Sequence, residues 1–374
     1  MHKISITMWN WQQKNWTHFS YKENAFENIN EQFIYNLGHF RGALKHLTQN
    51  DQSTLIVDLM TDEAFKTSEI EGDYLNRDSI HSSIRRNFGL QADHYKISPA
   101  EYGISEMLVN LYESFAAPLT HDMLYKWHKM LTNGRRDLSD IGAYRTHIEP
   151  MQIISGSLPP KIYFEAPPSH IVHHEMNHFL EWFNQTAPNG TSPLPALIRA
   201  GIAHLYFVTI HPFEDGNGRI GRAIVEKSLS QQAGNPTLFA LSTIIQKNKK
   251  KYYIALEKSN KTNEITDWLL YFSQTILEAQ RYTQELIEFI INKTKIMNRL
   301  TGKINDRQEK ALIRMFKEGP SGFKGGLNAK KYISITHVST ATATRDLQDL
   351  VDKGALHREG VLKGARYYLI TDSQ

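Results

Sequence analysis

The stretch HPFEDGNGRIGR, residues 211–222, gathers one imidazole, two carboxylates, three glycines and two arginines at the junction of two helical patterns. Upstream, LPALIRAGIAHLYFVTI (194–210) is apolar on nearly every face, which predicts the central buried helix of the fold. Pro212 disfavours helical geometry at His211, so that helix ends there and leaves the imidazole at a loop mouth on a rigid support, a placement that suits a general base. Asp215, Gly216, Asn217 and Gly218 read as a turn whose glycines permit unusual dihedrals and point backbone N–H groups inward as an anion nest. Downstream, GRIGRAIVEKSLSQQAG (218–234) continues as a helix whose positive end faces the same spot. Arg219 and Arg222, three residues apart on that helix, offer two guanidinium forks to one polyanion. A carboxylate amid such donors makes sense if Asp215 holds a divalent cation, and Mg²⁺, which favours one or two carboxylates plus phosphate oxygens, is the natural candidate. The residues therefore describe Mg-nucleotide phosphates beside a base. They also allow a plainer arrangement, a polar turn in which His211 caps the preceding helix and Arg222 pairs with Glu226 one turn on.

Around this loop the composition is that of a globular protein. With 374 residues, 40% hydrophobic and 22% charged, the chain has room for two or three domains and falls outside the disordered and collagen-like classes. It contains no cysteine, which excludes disulfide frameworks, thiolate metal sites and a cysteine nucleophile, and fits a reducing compartment. The opening MHKISITMWNWQQKNW has no signal-peptide core, and no run of about 18 apolar residues is present to span a bilayer, so a cytoplasmic chain without membrane contact is expected. The net charge of +4 is unevenly spread. Residues 301–374 carry 13 Lys plus Arg against 8 Asp plus Glu, net +5, leaving 30 minus 31, or −1, for the rest.

Helical periodicity dominates, so a mostly α fold is expected, with no internal repeat. Trp9, Trp11, Trp16, Phe19 and Tyr21 crowd the first segment and are expected to pack on the body of the protein. STLIVDLMTDEAFKTSEIEG predicts a helix over about 53–72, with Leu55, Ile56, Leu59, Ala64 and Phe65 at spacings of three and four and Gly72 as its stop. Another starts at Ser98 as N-cap with Pro99 in the first helical position, and a third lies in THDMLYKWHKML. MQIISG and KIYFEAP, short and partly alternating around the turn SLPP, predict a β-hairpin before helices resume at PSHIVHHEMNHFLEWFN.

HPFEDGNGRIGR resembles the signature of the Fic (filamentation induced by cAMP) family, His-Pro-Phe-x-Asp/Glu-Gly-Asn-Gly-Arg-x-x-Arg, at every fixed position. The resemblance implies a protein adenylyltransferase that moves AMP from ATP to a Ser, Thr or Tyr hydroxyl of a target protein, the protein itself included. It makes His211 the base and Asp215 the ligand of Mg²⁺ or Mn²⁺. Gly216, Asn217 and Gly218 would cradle the phosphates, and Arg219 and Arg222 would bind the outer ones. Phe213 becomes a core anchor, while Glu214, at a variable position, is expected to be solvated. The hairpin sits where the family has its flap, which lines up the target backbone as an added strand and puts Gln152, Ile153, Ile154 and Ser155 beside the nucleotide. KKKYYIALEKSNK (249–261) resembles the helix after the motif, placing Tyr252 or Tyr253 and Asn260 near adenosine. Further upstream, TSEIEG (67–72) resembles the inhibitory pattern Ser/Thr-x-x-x-Glu-Gly/Asn of one class of members. Glu71 would pair with Arg222 in the space the γ-phosphate needs, with Thr67 and Gly72 completing the pattern, because carboxylate and phosphate compete for the same guanidinium donors.

Two other features point elsewhere. HEMNH, His174 to His178, fits the helical zinc pattern His-Glu-x-x-His with a general-base Glu, but nothing clearly supplies a third ligand, and His170, His173, His174 and His178 read more simply as a polar face. The tail predicts an amphipathic helix in NDRQEKALIRMFKEG, two helices in NAKKYISITHVSTATATRDLQDLVDKGAL and a hairpin in HREGVLKGARYYLI. That order resembles a winged helix, with Ser339 capping the recognition helix and Arg358, Lys363 and Arg366 on the wing. Net +5 permits phosphate contacts, while Asp346, Asp349 and Asp352 on that same helix are poor company for DNA. The organisation expected is an N-terminal helical region over 1–95 with the inhibitory helix, a Fic-type helical core with a small flap over 96–290, and a winged-helix-like domain over 300–374. A homodimer is the default assembly. The alternatives are a DNA-binding transcriptional regulator with a vestigial core, a phosphoryl transferase, and an enzyme removing AMP through the same pocket.

Overall fold

In the computed structural model, residues 8–370 are described apart from 46, 94, 155–160 and 320–321. In chain order the described helices are α1 (Glu27–Leu44), α2 (Gln49–Glu71), α3 (Arg77–Asn87), α4 (Pro99–Ser114) and α5 (His121–Leu131). The strands β1 (Gln152–Ile154) and β2 (Ile162–Glu165) follow, then α6 (Ser169–Gln185), α7 (Ala196–Ile210), α8 (Asn217–Ala233), α9 (Leu241–Lys247), α10 (Lys249–Ser259) and α11 (Thr266–Leu300). The chain closes with α12 (Asp306–Phe316), α13 (Ala329–Thr336), α14 (Thr340–Asp352), β3 (Leu356–Glu359) and β4 (Arg366–Leu369). The mostly α expectation holds. Among the described residues no helix is long and apolar enough to cross a membrane.

Two compact units divide the chain: residues up to His39 together with Ile56–Tyr282, and Phe40–Leu55 together with residues from Thr283 on. In the first, α7 is buried at every position except Val208, as its unbroken apolar character dictates. One hydrophobic core surrounds it, drawing Met60 and Ala64 from α2, Ile80 and Ile84 from α3, Met107 from α4, Trp127 from α5 and Phe179 from α6. That one core draws on both sides of residue 95, from Val57 to Ile84 and from Ile104 to Ile224. The N-terminal aromatics pack as expected: Trp16 and Phe19 stand edge-on to Tyr206 at 5.3 and 5.5 Å, and Trp9 edge-on to Phe164 at 5.5 Å.

Local signals set the helix ends. Ser98 caps α4 in a reciprocal box with Glu101, whose carboxylate accepts the Ser98 N–H at 2.7 Å. α2 stops at Gly72, whose φ of +93° is open to glycine at no steric cost, and the Asp73 N–H bonds back to the Ser68 carbonyl at 3.0 Å. The predicted hairpin forms, pairing Gln152 with Glu165 and Ile153 with Phe164.

The second unit builds its own core from Leu312, Tyr332, Leu347, Leu350 and Leu356. Three helices, α12 to α14, precede the antiparallel β3–β4 hairpin, and Leu327 pairs antiparallel with Tyr367. His337, at φ +57°, turns the chain between α13 and α14, and Ser339 caps α14 through the Thr342 N–H.

Candidate active site

Pro212 and a buried guanidinium hold His211. Its backbone takes left-handed dihedrals (φ 51°, ψ 57°) as the cap of α7. Arg145, 2% exposed, donates from Nε to the His211 carbonyl at 2.8 Å, from Nη1 to Ser169 Oγ at 2.9 Å and from Nη2 to the Pro167 carbonyl, and its N–H reaches the Pro212 carbonyl at 2.9 Å. His211 Nδ1 lies 3.2 Å from the Val208 carbonyl. A carbonyl only accepts, so Nδ1 carries the proton and Nε2 keeps its lone pair. Burial lowers the His211 pKa to about 4, against the Val208 hydrogen bond that raises it and with Arg145 lowering it further, so the ring is a neutral base at neutral pH.

The loop that follows is closed by its own side chains. Asn217 Oδ1 accepts the Phe213 N–H at 3.0 Å while Nδ2 donates to the Phe213 carbonyl at 2.8 Å. The Asn217 side chain is therefore a staple of the loop, and its share in an anion nest is its main-chain N–H. Phe213 is buried and stacks on His128 at 4.2 Å, which bears out the anchor role. Gly216 has φ +81°, as the turn requires. Gly218 lies within α8 and serves by its lack of bulk, which corrects the idea that both glycines supply unusual dihedrals. A Cβ there would collide with Glu71 Oε1 and stand 3.2 Å from Arg222 Nη1. The first helical hydrogen bond runs from the Ile220 N–H to the Gly216 carbonyl, so the N–H groups of Asn217, Gly218 and Arg219 precede the ladder at the positive end of α8.

Glu214 departs from expectation. It is half-buried and accepts the N–H groups of Ser139 and Asp140 at 2.7 and 3.1 Å, fastening that loop as well as meeting solvent. The plain Arg222–Glu226 pair is also excluded: Glu226 accepts the N–H groups of Thr237 and Leu238.

The two arginines reach different carboxylates. Arg222, fully buried, donates from Nε to Thr67 Oγ1 at 2.7 Å and from Nη2 to Glu71 Oε1 at 2.8 Å. Burial alone would lower its pKa, and the Glu71 carboxylate outweighs this and raises it. Arg219 pairs from Nη1 with Asp73 at 2.6 Å and from Nη2 with Asp215 at 3.2 Å. Asp215 also accepts Arg135 Nη1 at 2.5 Å, and Arg135 holds Asp137 at 2.7 Å. Burial would raise the Asp215 pKa, but Arg219, Arg135 and the Gly216 N–H hold it below the usual carboxylate range. Buried Arg219 Nε and Arg222 Nη1 have no hydrogen-bond partner among the described residues.

Of the remaining expected residues, Tyr253 is exposed, while Tyr252 is in the core with its hydroxyl 2.6 Å from His204 Nε2. Asn260 is buried as the cap of α10, its carbonyl accepting the Asn10 N–H at 2.8 Å. On the hairpin, Gln152 Nε2 donates to Glu165 at 2.6 Å, and Ile153 and Ile154 are exposed. Ser155 lies outside the described residues. His174, Glu175 and His178 bring ligand atoms within 4.8 Å of one another, yet Glu175 accepts the Trp16 indole N–H at 2.7 Å and so belongs to the packing of the N-terminal segment. Arg135, Arg145 and Asp73 carry no local signal in the sequence that sets them apart from surface charges.

Residues 118–229 match the Fic/DOC family and residues 9–90 match a domain of unknown function, DUF4172, so the chain carries a Fic/DOC domain around the loop. It is 40% identical over 86 residues to Protein adenylyltransferase Fic of Aedes aegypti, covering 23% of this chain and 15% of that protein. It is 21% identical over 240 residues to Protein adenylyltransferase fic-1 of Caenorhabditis elegans, covering 62% of this chain and 43% of that one. The chain thus spans less than half the length of these curated relatives. Its fold is similar to a Fic family protein from Desulfovibrio desulfuricans G20 (TM-score 0.53, 19% identity, 92% of this chain and 97% of that one). A Fic domain containing signaling protein from Bacteroides thetaiotaomicron is similar over 68% of this chain and 95% of its own (TM-score 0.53, 17% identity).

Proposed function

We propose that the chain is a protein adenylyltransferase that transfers AMP from ATP to a Ser, Thr or Tyr hydroxyl of a target protein, itself included, and that Glu71 holds it inactive. The observation that carries this is the junction of a base with an anion site on one loop: His211 holds its proton on Nδ1 and keeps Nε2 free, and the same loop runs on into the positive end of α8, where Arg219 Nε and Arg222 Nη1 have no partner among the described residues. In the reaction Nε2 takes the hydroxyl proton as the target oxygen attacks the α-phosphorus of ATP. The bond to the bridging oxygen breaks, the target keeps AMP and pyrophosphate leaves against the two guanidiniums.

Asp215 fits a hard divalent cation by donor type, one carboxylate beside a phosphate site. Its two guanidinium partners each have a second carboxylate, Asp137 or Asp73, to hold when Asp215 is claimed. Mg²⁺ or Mn²⁺ there would neutralise charge on the leaving phosphates. Gln152, Ile153 and Ile154 on the hairpin, with Tyr253 and Asn260, would flank the nucleoside, and the strand edge would take the target backbone.

Glu71 blocks this arrangement by occupying Arg222 and the space above Gly218 that a phosphate would enter. The test is mass spectrometry of Glu71→Gly protein after incubation with ATP, Mg²⁺ and a cell lysate, with His211→Ala as control. The expected result is AMP on the protein or on a lysate protein, with label from α-phosphorus-labelled ATP and none from the γ-labelled form. No AMP transfer by Glu71→Gly would overturn the proposal. The position of Glu71 over the nest supports a second activity, removal of AMP with Glu71 orienting water, which a hydrolysis assay on an AMP-modified protein distinguishes.

A further inference from the structure

The positive excess of the chain lies in the second unit, where residues 301–374 carry net +5. On sequence alone the three aspartates of α14 argue against a polyanionic partner for that helix. The fold turns two of them away. Asp346 is buried and accepts Tyr332 Oη at 2.9 Å and Arg307 Nε at 3.0 Å. Asp349 is held by Gln308 Nε2 at 2.7 Å and by Lys353. Asp352 stays exposed, at the C-terminal end of the helix. The face left to solvent over the preceding turns is Thr340, Thr344, Arg345 and Gln348, with Ala341 among them. Hydroxyl, guanidinium and amide side chains of this kind are those that take base edges and phosphates.

The surroundings suit the same partner. Thirteen residues make α14 about 20 Å long, and a helix of that width enters a major groove about 12 Å across. The Ser339-capped start of the helix adds the positive end of its dipole. α13 and α14 are joined by the tight turn at His337, and the β3–β4 hairpin follows, carrying exposed Arg358 and half-buried Arg366. Val361 and Leu362 are exposed between those strands, residues of the apolar type that minor-groove binders press between base steps.

We infer that this unit binds duplex DNA, with the Thr340–Gln348 face of α14 in the major groove and the hairpin against the backbone. The inference stands on charge placement and helix geometry in this unit, and is independent of AMP transfer by the other.

The test is fluorescence anisotropy of the full chain with a labelled mixed-sequence duplex of about two helical turns, at a series of salt concentrations. Binding at low salt should weaken on a log–log plot with a slope of about −0.9 for each phosphate contact. Arg345→Ala and Arg358→Ala should each weaken binding several-fold and reduce the slope by about one unit. Asp352→Asn should tighten binding, and Arg281→Ala, an exposed change on α11, should leave it alone. Melting at the wild-type temperature verifies that each variant is folded. Absence of salt-dependent binding by the wild-type chain, as a protein-docking face would give, overturns the inference. So does a folded Arg345→Ala/Arg358→Ala double variant that binds as well as wild type.

Discussion

The two sides of the candidate site are held by different forces. On the His211 side everything is covalent constraint, main-chain hydrogen bonding and burial: a proline, a left-handed cap, the Asn217 staple and a buried Arg145 that ties the His211 and Pro167 carbonyls. On the arginine side the contacts are ion pairs, Arg222 to Glu71, Arg219 to Asp73 and Asp215, and Arg135 to Asp215. A hydrogen-bonded scaffold cannot be traded for a ligand, whereas a carboxylate on a guanidinium can be exchanged for a phosphate. The base side is therefore pre-organised, and the arginine side is satisfied internally until an anion displaces its partners.

The largest effect expected from this contrast is on the base. His211→Ala in the Glu71→Gly background should reduce AMP transfer by about 100- to 10,000-fold while ATP affinity, measured by calorimetry, changes little. Loss of ATP binding in that variant would break the division of labour. On the other side, Glu71→Gly frees a buried guanidinium from a charge-assisted bond of about 1.5–3 kcal/mol, so ATP affinity should rise about 10- to 100-fold, read in the same titration. Arg145→Met should act on the scaffold alone. It leaves buried carbonyls without donors at about 1–3 kcal/mol, so the melting temperature should fall and the maximal rate should drop, with ATP affinity retained.

This contrast also accounts for what was legible in the sequence. The base side was, because its causes are local: Pro212 after His211, Gly216 in the turn and the apolar α7 before it. The helix end at Gly72 and the hairpin were legible for the same reason. The partners that complete the charge network were not. Arg135 meets Asp215 across 80 residues, Asp73 meets Arg219 across 146 and Arg145 meets the His211 carbonyl across 66. Each is an ordinary charged residue in its own neighbourhood, and only the tertiary fold gives it a partner. Glu214 departs from expectation for the mirror reason, since the Ser139 and Asp140 N–H groups that donate to it lie in a loop with no periodic signal.

Buried histidines give a pH test of the scaffold. Burial lowers His211 and His128 to about 4 and His204 to about 3. Each is neutral when folded and takes up a proton near 6.5 when unfolded, so the unfolded state binds more protons between about 6.5 and 4. Stability from these groups is complete above that window and is lost as pH falls through it, by about 2 kcal/mol per histidine at pH 5. Melting temperatures should drop from neutral to about pH 5, and less steeply in His211→Ala. A profile unchanged in that variant would show that His211 is solvated. The transfer rate of Glu71→Gly should stay flat down to about pH 6, where a histidine of ordinary pKa would already be protonated.

The smallest effect sharpens the arginine side. Asp73 follows the end of α2 directly, and its pair with Arg219 repeats that of Glu71 with Arg222 one helical turn away. Its carboxylate is half exposed, and exposed pairs are worth about 0.2–1 kcal/mol, so Asp73→Asn should raise ATP affinity only about 2- to 5-fold. Because Arg219 and Arg222 would meet the same polyphosphate, the gain should persist in Glu71→Gly, and rising salt should shrink it faster than the Glu71 effect. An Asp73→Asn variant that binds ATP no better than wild type, at low salt and in both backgrounds, would mean that only the Arg222 pair opposes the nucleotide and that Arg219 is already free to receive it.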